Sequence, residues 1–311
     1  MLCFKKLFLR FNFIKSSNNF LKQGFSKLLL DFKIGEIKHQ SFFLLSLQSK
    51  RKKKMKRIIK LFLRNVPRVY LQKIVRFVII FVKPFYLGNK VECPICGKHY
   101  RKFLPYGYVN SRPNALCPNC LSLERHRLLW LYFNKKTTIL SSSISFLHIA
   151  PEICFISRLK KTKLDYKTAD LESPWADLHF NIENIPLDDG SFDIVMANHI
   201  LEHVEDLNKA LNEVYRVLKS GGMAILLSPV NFNRELTYED PSIIDPQERE
   251  KAFGQKDHLR EFGRDYAQVI TRDCVEVIKE DESFIKDFSK QELYRYGLGR
   301  GDESIYTVRK K

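Results

Sequence analysis

The sequence predicts a doubly wound α/β domain with a small metal-binding module directly ahead of it. Three observations carry this: apolar runs alternate with amphipathic stretches from Ile144 onward, two Cys-x-x-Cys pairs lie between Cys93 and Cys120, and nearly all of the net charge lies before residue 91. The 311 residues are 44% hydrophobic and 28% charged, enough apolar material for one full core plus a satellite module, which excludes a chain disordered throughout.

Residues 1–90 carry a charge of +20, with Asp31 and Glu36 their only acids, whereas the rest of the chain sums to −2. The overall +18 therefore belongs to an N-terminal segment and the folded body is close to neutral. Residues 1–54 hold nine of the 24 Phe among Lys, Asn and Ser, without helical or strand period, and read as a non-native or disordered extension ahead of a start at Met55. Residues 55–90 read as a basic amphipathic helical arm. Its apolar run Ile74–Val82 is shorter than the roughly 20 residues a membrane span requires. Arg64, Arg68, Lys73, Arg76 and Lys83, interleaved with apolar residues, suit a helix lying on an anionic membrane, a helix packed on the main domain with its cationic stems outward, or contact with a nucleic acid. The first apolar stretch is broken by Lys5, Lys6 and Arg10, so no secretory signal is predicted and a cytoplasmic, membrane-peripheral setting is expected.

Cys93-Pro-Ile-Cys96-Gly97 and Cys117-Pro-Asn-Cys120 are two thiolate knuckles with 20 residues between them, the spacing of a zinc ribbon over residues 91–121. Four thiolates complete a tetrahedral Zn²⁺ and leave no place for water, so the ion is expected to be structural. Gly97 lets the first knuckle curl around its sulfur, and Leu121 stands where a second Gly is expected. Tyr100, Arg101, Lys102, Tyr106, Tyr108 and Arg112 suit either stacking on nucleic acid or the ribbon's own core.

In the fourth segment, 122–311, a helix over Leu128–Phe133 precedes the strand Ile144–Ala150. Tyr166–Asp170, Phe192–Ala197 and Ala224–Val230 read as further buried parallel strands. Leu207, Ala210, Leu211, Val214 and Leu218 mark one face of a helix ended by Gly221-Gly222, and Val275–Lys279 with Ile305–Arg309 read as a closing antiparallel pair. Such alternation predicts a parallel sheet covered on both faces, with ligands beyond the strand C-termini at the switch point.

The run NIPLDDGSFDIVMANHILEHV from Asn184 to Val204, followed by YRVLKSGGMAIL from Tyr215, resembles class I methyltransferases of the type 11 group, whose sheet is Rossmann-like. With His148-Ile-Ala-Pro-Glu152, Thr237-Tyr-Glu-Asp-Pro241, Phe253-Gly-Gln-Lys-Asp-His258 and the cysteine knuckles, the chain is similar to a bacterial subfamily in which a zinc ribbon precedes that domain. The resemblance implies an S-adenosyl-L-methionine site in which Asp170, with Leu171 after it, takes the ribose hydroxyls, while Asn181 and Ile182 meet the adenine edge and Asn198 ends the fourth strand. The usual acidic residue and Gly-x-Gly turn are replaced by His148, Ala150 and Glu152, which implies a different contact to the methionine end of the cofactor.

Methyl transfer from a sulfonium needs alignment, and a base only when the acceptor carries a proton to be lost. The segment 231–266 is the expected acceptor lid. Asp257, His258 and Arg260 within it offer a carboxylate, an imidazole and an anion clamp; His258 is the expected base, with His199 and His203 as runners-up. The favoured acceptor is a small molecule or glycan precursor bearing a hydroxyl or amine. RNA methylation is the first alternative, and a ribbon-bearing binding protein with a degenerate methyltransferase domain is the second.

Overall fold

The computed structural model describes residues 77–107, 111–174, 176–279, 282–298 and 304–311. The expectations for residues 1–54, most of the arm and Tyr108 fall outside them. Residues 78–311 form one compact unit. No helix among the described residues is long and apolar enough to cross a membrane. At the end of the arm, Ile80, Phe81 and Phe85 are each more than 60% exposed.

The ribbon is built from two antiparallel hairpins, β1 (Leu87–Cys93) with β2 (Lys98–Tyr100) and β3 (Leu104–Tyr106) with β4 (Arg112–Leu116). A 13-residue helix, α1 (Glu124–Lys136), leads into β5 (Ser145–Ile149), α2 (Ile153–Leu159), β6 (Asp165–Asp170), β7 (Leu178–His179) and β8 (Phe192–Ala197). After α3 (Leu207–Val217) come β9 (Leu218–Ile225), then, in the segment expected to act as the lid, β10 (Tyr238–Glu239), α4 (Pro246–Phe253) and β11 (Arg260–Glu261), and the short helix α5 (Tyr266–Val269). β12 (Val275–Lys279), α6 (Glu282–Lys286), α7 (Lys290–Tyr296) and β13 (Tyr306–Lys310) end the chain.

Seven strands make the central sheet in the order β12-β13-β9-β8-β5-β6-β7. β5 to β9 are mutually parallel and β13 is antiparallel to both of its neighbours, which bears out the doubly wound reading. The period of two along each strand divides the core. Phe146, Ile194, Met196 and Ile225 face one layer while Leu147, Val195, Ala197 and Ala224 face the other. β5 and β8 diverge in the direction of their onward connections, so the switch point lies at the C-terminal ends of these two strands.

The helix before β9 is shorter than its apolar pattern predicts. It is capped by Asp206, whose side chain accepts from Lys209 N, and buries Ala210, Leu211, Val214 and Val217. Leu218 is already extended and pairs with Phe192, because burying Leu218 in the sheet layer outweighs one more helical turn. Gly222 sits in the strand, where a Cβ would come within 3.0 Å of the Lys219 and Asp193 carbonyl oxygens.

The ribbon shares its core with the first layer of the sheet. Cys93, Ile95, Cys96, Tyr100, Phe103 and Cys117 belong to the same cluster as Phe133, Phe146 and Phe155. Arg127, fully buried on α1, locks this junction. Its guanidinium donates to Ala115 O, Ser122 O, Tyr296 O and Gly297 O at 2.6–2.9 Å and lies 4.3 Å from the centre of the Phe103 ring. A Cβ on Gly297 would collide with Phe103 and Arg127 at under 3.0 Å, so the ribbon, α1 and the end of α7 close on a single point. Arg127→Met leaves these buried carbonyls without a donor and is expected to destabilise the chain by at least about 3 kcal/mol in urea unfolding.

Candidate functional site

Two constellations and one cluster between them carry the polar chemistry of the chain. The first is the cysteine cluster. The four sulfurs of Cys93, Cys96, Cys117 and Cys120 lie within 4.8 Å of one another, with Cys93–Cys120 at 3.5 Å and Cys96–Cys117 at 3.8 Å. A tetrahedral ion with four sulfurs at about 2.3 Å has edges of about 3.8 Å, so the donor set and its spacing fit one tetrahedral metal.

The two knuckles are built alike. Gly97 N donates to Cys93 O and Leu121 N to Cys117 O, and both residues after the second Cys are left-handed, with φ of 64° at Gly97 and 61° at Leu121. Leu121 thus accepts the backbone conformation that its side chain disfavours, held there by the turn. Thiol hydrogen bonds from Cys117 and Cys120 bring Cys93 down to about 7 and Cys96 well below the usual thiol range, while contacts with Cys93 and Cys96, together with burial, push Cys117 and Cys120 up, so the four sulfurs cannot all ionise without a cation among them.

The second constellation lies at the switch point. A pocket of about 330 Å³, within the usual range for a small-molecule site, is lined by Ile149, Ala150, Asp170, Leu171, Asn181 and Ile182 from the ends of β5, β6 and the loop after β7, with Ile200, His203 and Glu205 opposite. Ala150 has φ of 48° and donates its N–H to Ala169 O. It therefore adopts the left-handed turn that a Gly makes without strain. Asp170 Oδ1 accepts from Glu172 N and Ser173 N, while Oδ2 has no hydrogen-bond partner among the described residues. Asn181 Oδ1 accepts from Glu183 N, so one of its acceptor lone pairs is already used in the turn.

His148, Glu152 and Asn198 do not line this pocket. They form a polar network under the β5–α2 turn. His148 is fully buried, with Nε2 donating to Glu152 Oε2 and Tyr166 OH 2.8 Å from Nδ1. Asn198 Nδ2 donates to Glu152 Oε1 at 3.1 Å and Asn198 Oδ1 accepts from Leu227 N. Burial alone raises the Glu152 carboxyl, but the His148 hydrogen bond and charge, with further help from Asn198, win and bring it down to about 2.

His126, on α1, accepts from Leu123 N at Nδ1, and its buried Nε2 lies 3.9 Å from Glu152 Oε1 without a hydrogen-bond partner. No sequence pattern singled out His126; only the fold shows it facing Glu152. Burial, with the Arg125 charge nearby, pushes it from 6.5 down to about 3. Between these values the unfolded chain binds the extra proton, so this contribution to stability is complete above pH 6.5 and is lost as pH falls towards 3. Glu152 adds a loss below its ordinary pKa of 4.5, down to about 2. Urea midpoints are expected to fall steadily below pH 6.5, and His126→Gln to flatten the upper part of that slope.

Between the pocket and the lid lies the cluster His199, Glu202, His203 and His258. His199, at the end of β8, has φ of 55° and stands with Nδ1 3.4 Å from the buried Glu202 Oε1. The His203 and His258 rings meet edge to face with centroids 4.8 Å apart. His258 is 5% exposed and depressed by burial, hence neutral at physiological pH. Asp257 offers its carbonyl to His203 Nδ1 at 2.9 Å.

Arg260 is not the expected anion clamp. Fully buried, it donates to Leu201 O and Val204 O and pairs with the Glu239 carboxylate at 2.7–3.0 Å, tying the lid to the turn after β8. In the ribbon, Arg112 is paired with Glu124 at 3.2 Å and Tyr100 is fully buried, so neither is presented for stacking on nucleic acid.

Residues 151–226 match the family described as Methyltransferase domain, a segment that runs from the β5–α2 turn into the end of β9. Over 61 residues the chain is 46% identical to a demethylmenaquinone methyltransferase of Staphylococcus epidermidis, covering 20% of this chain and 25% of that protein. Over 66 residues it is 38% identical to the ajmaline N-methyltransferase of Rauvolfia serpentina, covering 21% and 22% respectively. The chain thus spans about a quarter of the length of these curated relatives. Among solved structures, an S-adenosylmethionine-dependent methyltransferase from Mesorhizobium loti aligns at 13% identity and a TM-score of 0.39, over 59% of this chain and 98% of that one. The [4+2]-cyclase SpnF aligns at 17% identity and a TM-score of 0.40, over 59% and 80%.

Proposed function

We propose that the chain is an S-adenosyl-L-methionine-dependent methyltransferase acting on a hydroxyl or amine of a small or sugar-like acceptor. The observation that carries this reading is the convergence of Ala150, Asp170, Leu171, Asn181 and Ile182 on one pocket at the switch point, in a segment that matches a methyltransferase domain. S-adenosylmethionine, when bound, supplies an electrophilic methyl for an in-line displacement.

The chain's own residues then have distinct tasks. Asp170 offers Oδ2 to the ribose hydroxyls while Oδ1 holds its own turn. Ile182 gives an apolar wall to the adenine ring and Asn181 its amide to the ring edge. Glu152, ionised in a buried setting, attracts the ammonium of the methionine end; His148 and Asn198 position it without touching the ligand. His258 and its neighbours His199 and His203 stand where an acceptor proton would be taken, with Asp257 anchoring His203. Cys93, Cys96, Cys117 and Cys120 hold a structural zinc that keeps the ribbon and α1 on the sheet. The near-neutral charge of residues 91–311 favours a small acceptor over RNA.

Calorimetric titration of the full, zinc-loaded chain with S-adenosylmethionine and S-adenosylhomocysteine tests this reading. Micromolar binding of both is the expected result, followed by label transfer to a panel of glycan precursors. Absence of heat from folded protein overturns it.

A further inference from the structure

We propose that Glu202, His203 and His258 form a second metal centre, binding one divalent transition-metal ion at the border between the switch-point pocket and the lid. One ligand atom of each of the three residues lies within 4.8 Å of the other two. Two imidazoles and a carboxylate are a donor set for Zn²⁺, Co²⁺, Fe²⁺ or Mn²⁺, and differ in kind from the four sulfurs of the ribbon.

Each donor is oriented as a metal ligand is. His203 donates Nδ1–H to Asp257 O at 2.9 Å, and His258 donates Nδ1–H to Phe253 O at 3.1 Å. Both rings are thereby fixed in the tautomer whose Nε2 lone pair is left to offer, and the carbonyl partners supply the outer support typical of ligating histidines. Glu202 is supported in the same way. Its Oε2 accepts from Ser228 Oγ at 3.2 Å, and Ser228 in turn is held by Tyr266 OH. Leu259 N donates to Glu202 O at 2.8 Å, which pins the lid residue next to His258 onto the turn that carries the other two donors.

The site is closed on one side and open on the other. Glu202 and His258 are buried, whereas His203 is a third exposed and lines the 330 Å³ pocket. Three protein donors leave coordination positions free, and the exposed ring puts them on the pocket side. On the methyl-transfer reading the ion narrows the acceptor to a molecule with oxygen donors, a hydroxyl or a vicinal diol, held beside the cofactor pocket, and because it takes the Nε2 lone pairs of His203 and His258 it leaves the acceptor's proton to His199.

The test is titration of the full, zinc-loaded chain with Co²⁺, without cofactor or acceptor, followed by calorimetry and visible absorption. Weak bands of a nitrogen and oxygen site, without the intense sulfur-to-cobalt bands that exchange at the ribbon would produce, and a stoichiometry of one are expected. His258→Ala and His203→Asn are expected to weaken Co²⁺ at least tenfold. If His258→Ala fails to fold, His203→Asn on the partly exposed ring decides. No uptake beyond the ribbon zinc, or equal affinity in His203→Asn, overturns the proposal. Because the readout needs no S-adenosylmethionine, cobalt binding by a chain that binds no cofactor upholds the metal centre and rejects methyl transfer, and the reverse result rejects the metal centre alone.

Discussion

Stripping the proposed zinc from the cysteine cluster is expected to lower the melting temperature by about 10–20 °C and to abolish the near-ultraviolet signal of the aromatic residues packed around it. Structural zinc contributes roughly 10–16 kcal/mol of apparent binding energy in isolated finger peptides. Here the loss is smaller than that of a free finger but spreads further, because the knuckles share a core with Tyr100, Phe103, Phe133, Phe146 and Phe155. A residual loss of about 5 kcal/mol corresponds to such a shift for a unit of this size. Without the ion the four clustered sulfurs cannot all stay ionised side by side, and as they take up protons Arg127 loses the negative charge of Cys93, Cys117 and Cys120 that favours its ionised form. Metal analysis of the purified chain, a thermal melt in chelator and a melt of Cys117→Ser check this together. A chain that retains no metal yet melts unchanged would refute the role given to the cluster.

Asp170→Ala is expected to weaken S-adenosylmethionine binding about 100-fold. Two hydrogen bonds from ribose hydroxyls to a carboxylate are worth about 1.5 kcal/mol each, and 3 kcal/mol is about two decades in affinity. Part of any effect will come through the loop, since Oδ1 also accepts from Glu172 N and Ser173 N. Asp170→Asn separates the two contributions: its amide oxygen keeps the turn while its nitrogen faces the ligand as a donor. Binding that drops as far in Asn as in Ala, with an unchanged melting temperature, assigns the loss to the ribose contact. Affinity within threefold of the unsubstituted chain in both variants would remove Asp170 from the site.

Much of the fold is legible in the sequence, for reasons that lie in local chemistry. Phe192–Ala197 occurs where its apolar run predicts, because a strand buried on both faces needs such a run, and the edge strand Val275–Lys279 occurs where its β-branched residues alternate with Glu276 and Lys279. The end of α3 was misread for the converse reason. The Gly221-Gly222 pair is a strong local stop signal, but a sheet position for Leu218 ended the helix earlier. Asp170 and Asn181, which the family resemblance implies, do converge, while His148, Glu152 and Asn198, implied for the same site, lie under its turn. Arg260, expected as a free clamp, is consumed by Glu239 and three carbonyls, because a buried guanidinium is costly without such partners.

By itself the sequence determined the alternation of strands and helices, the position of the two cysteine knuckles, and the acidic residue at the end of the second strand. These are properties of spacing and residue type, which act over a few residues. Only the tertiary structure decided that Ala150, Leu121 and His199 take left-handed backbone angles, that His126 faces Glu152, and that His258 closes on Glu202 and His203 from a lid some 55 residues further along the chain. Backbone strain at non-glycine residues and the meeting of distant polar side chains are held in place by the packing of the whole sheet, and no local pattern encodes them.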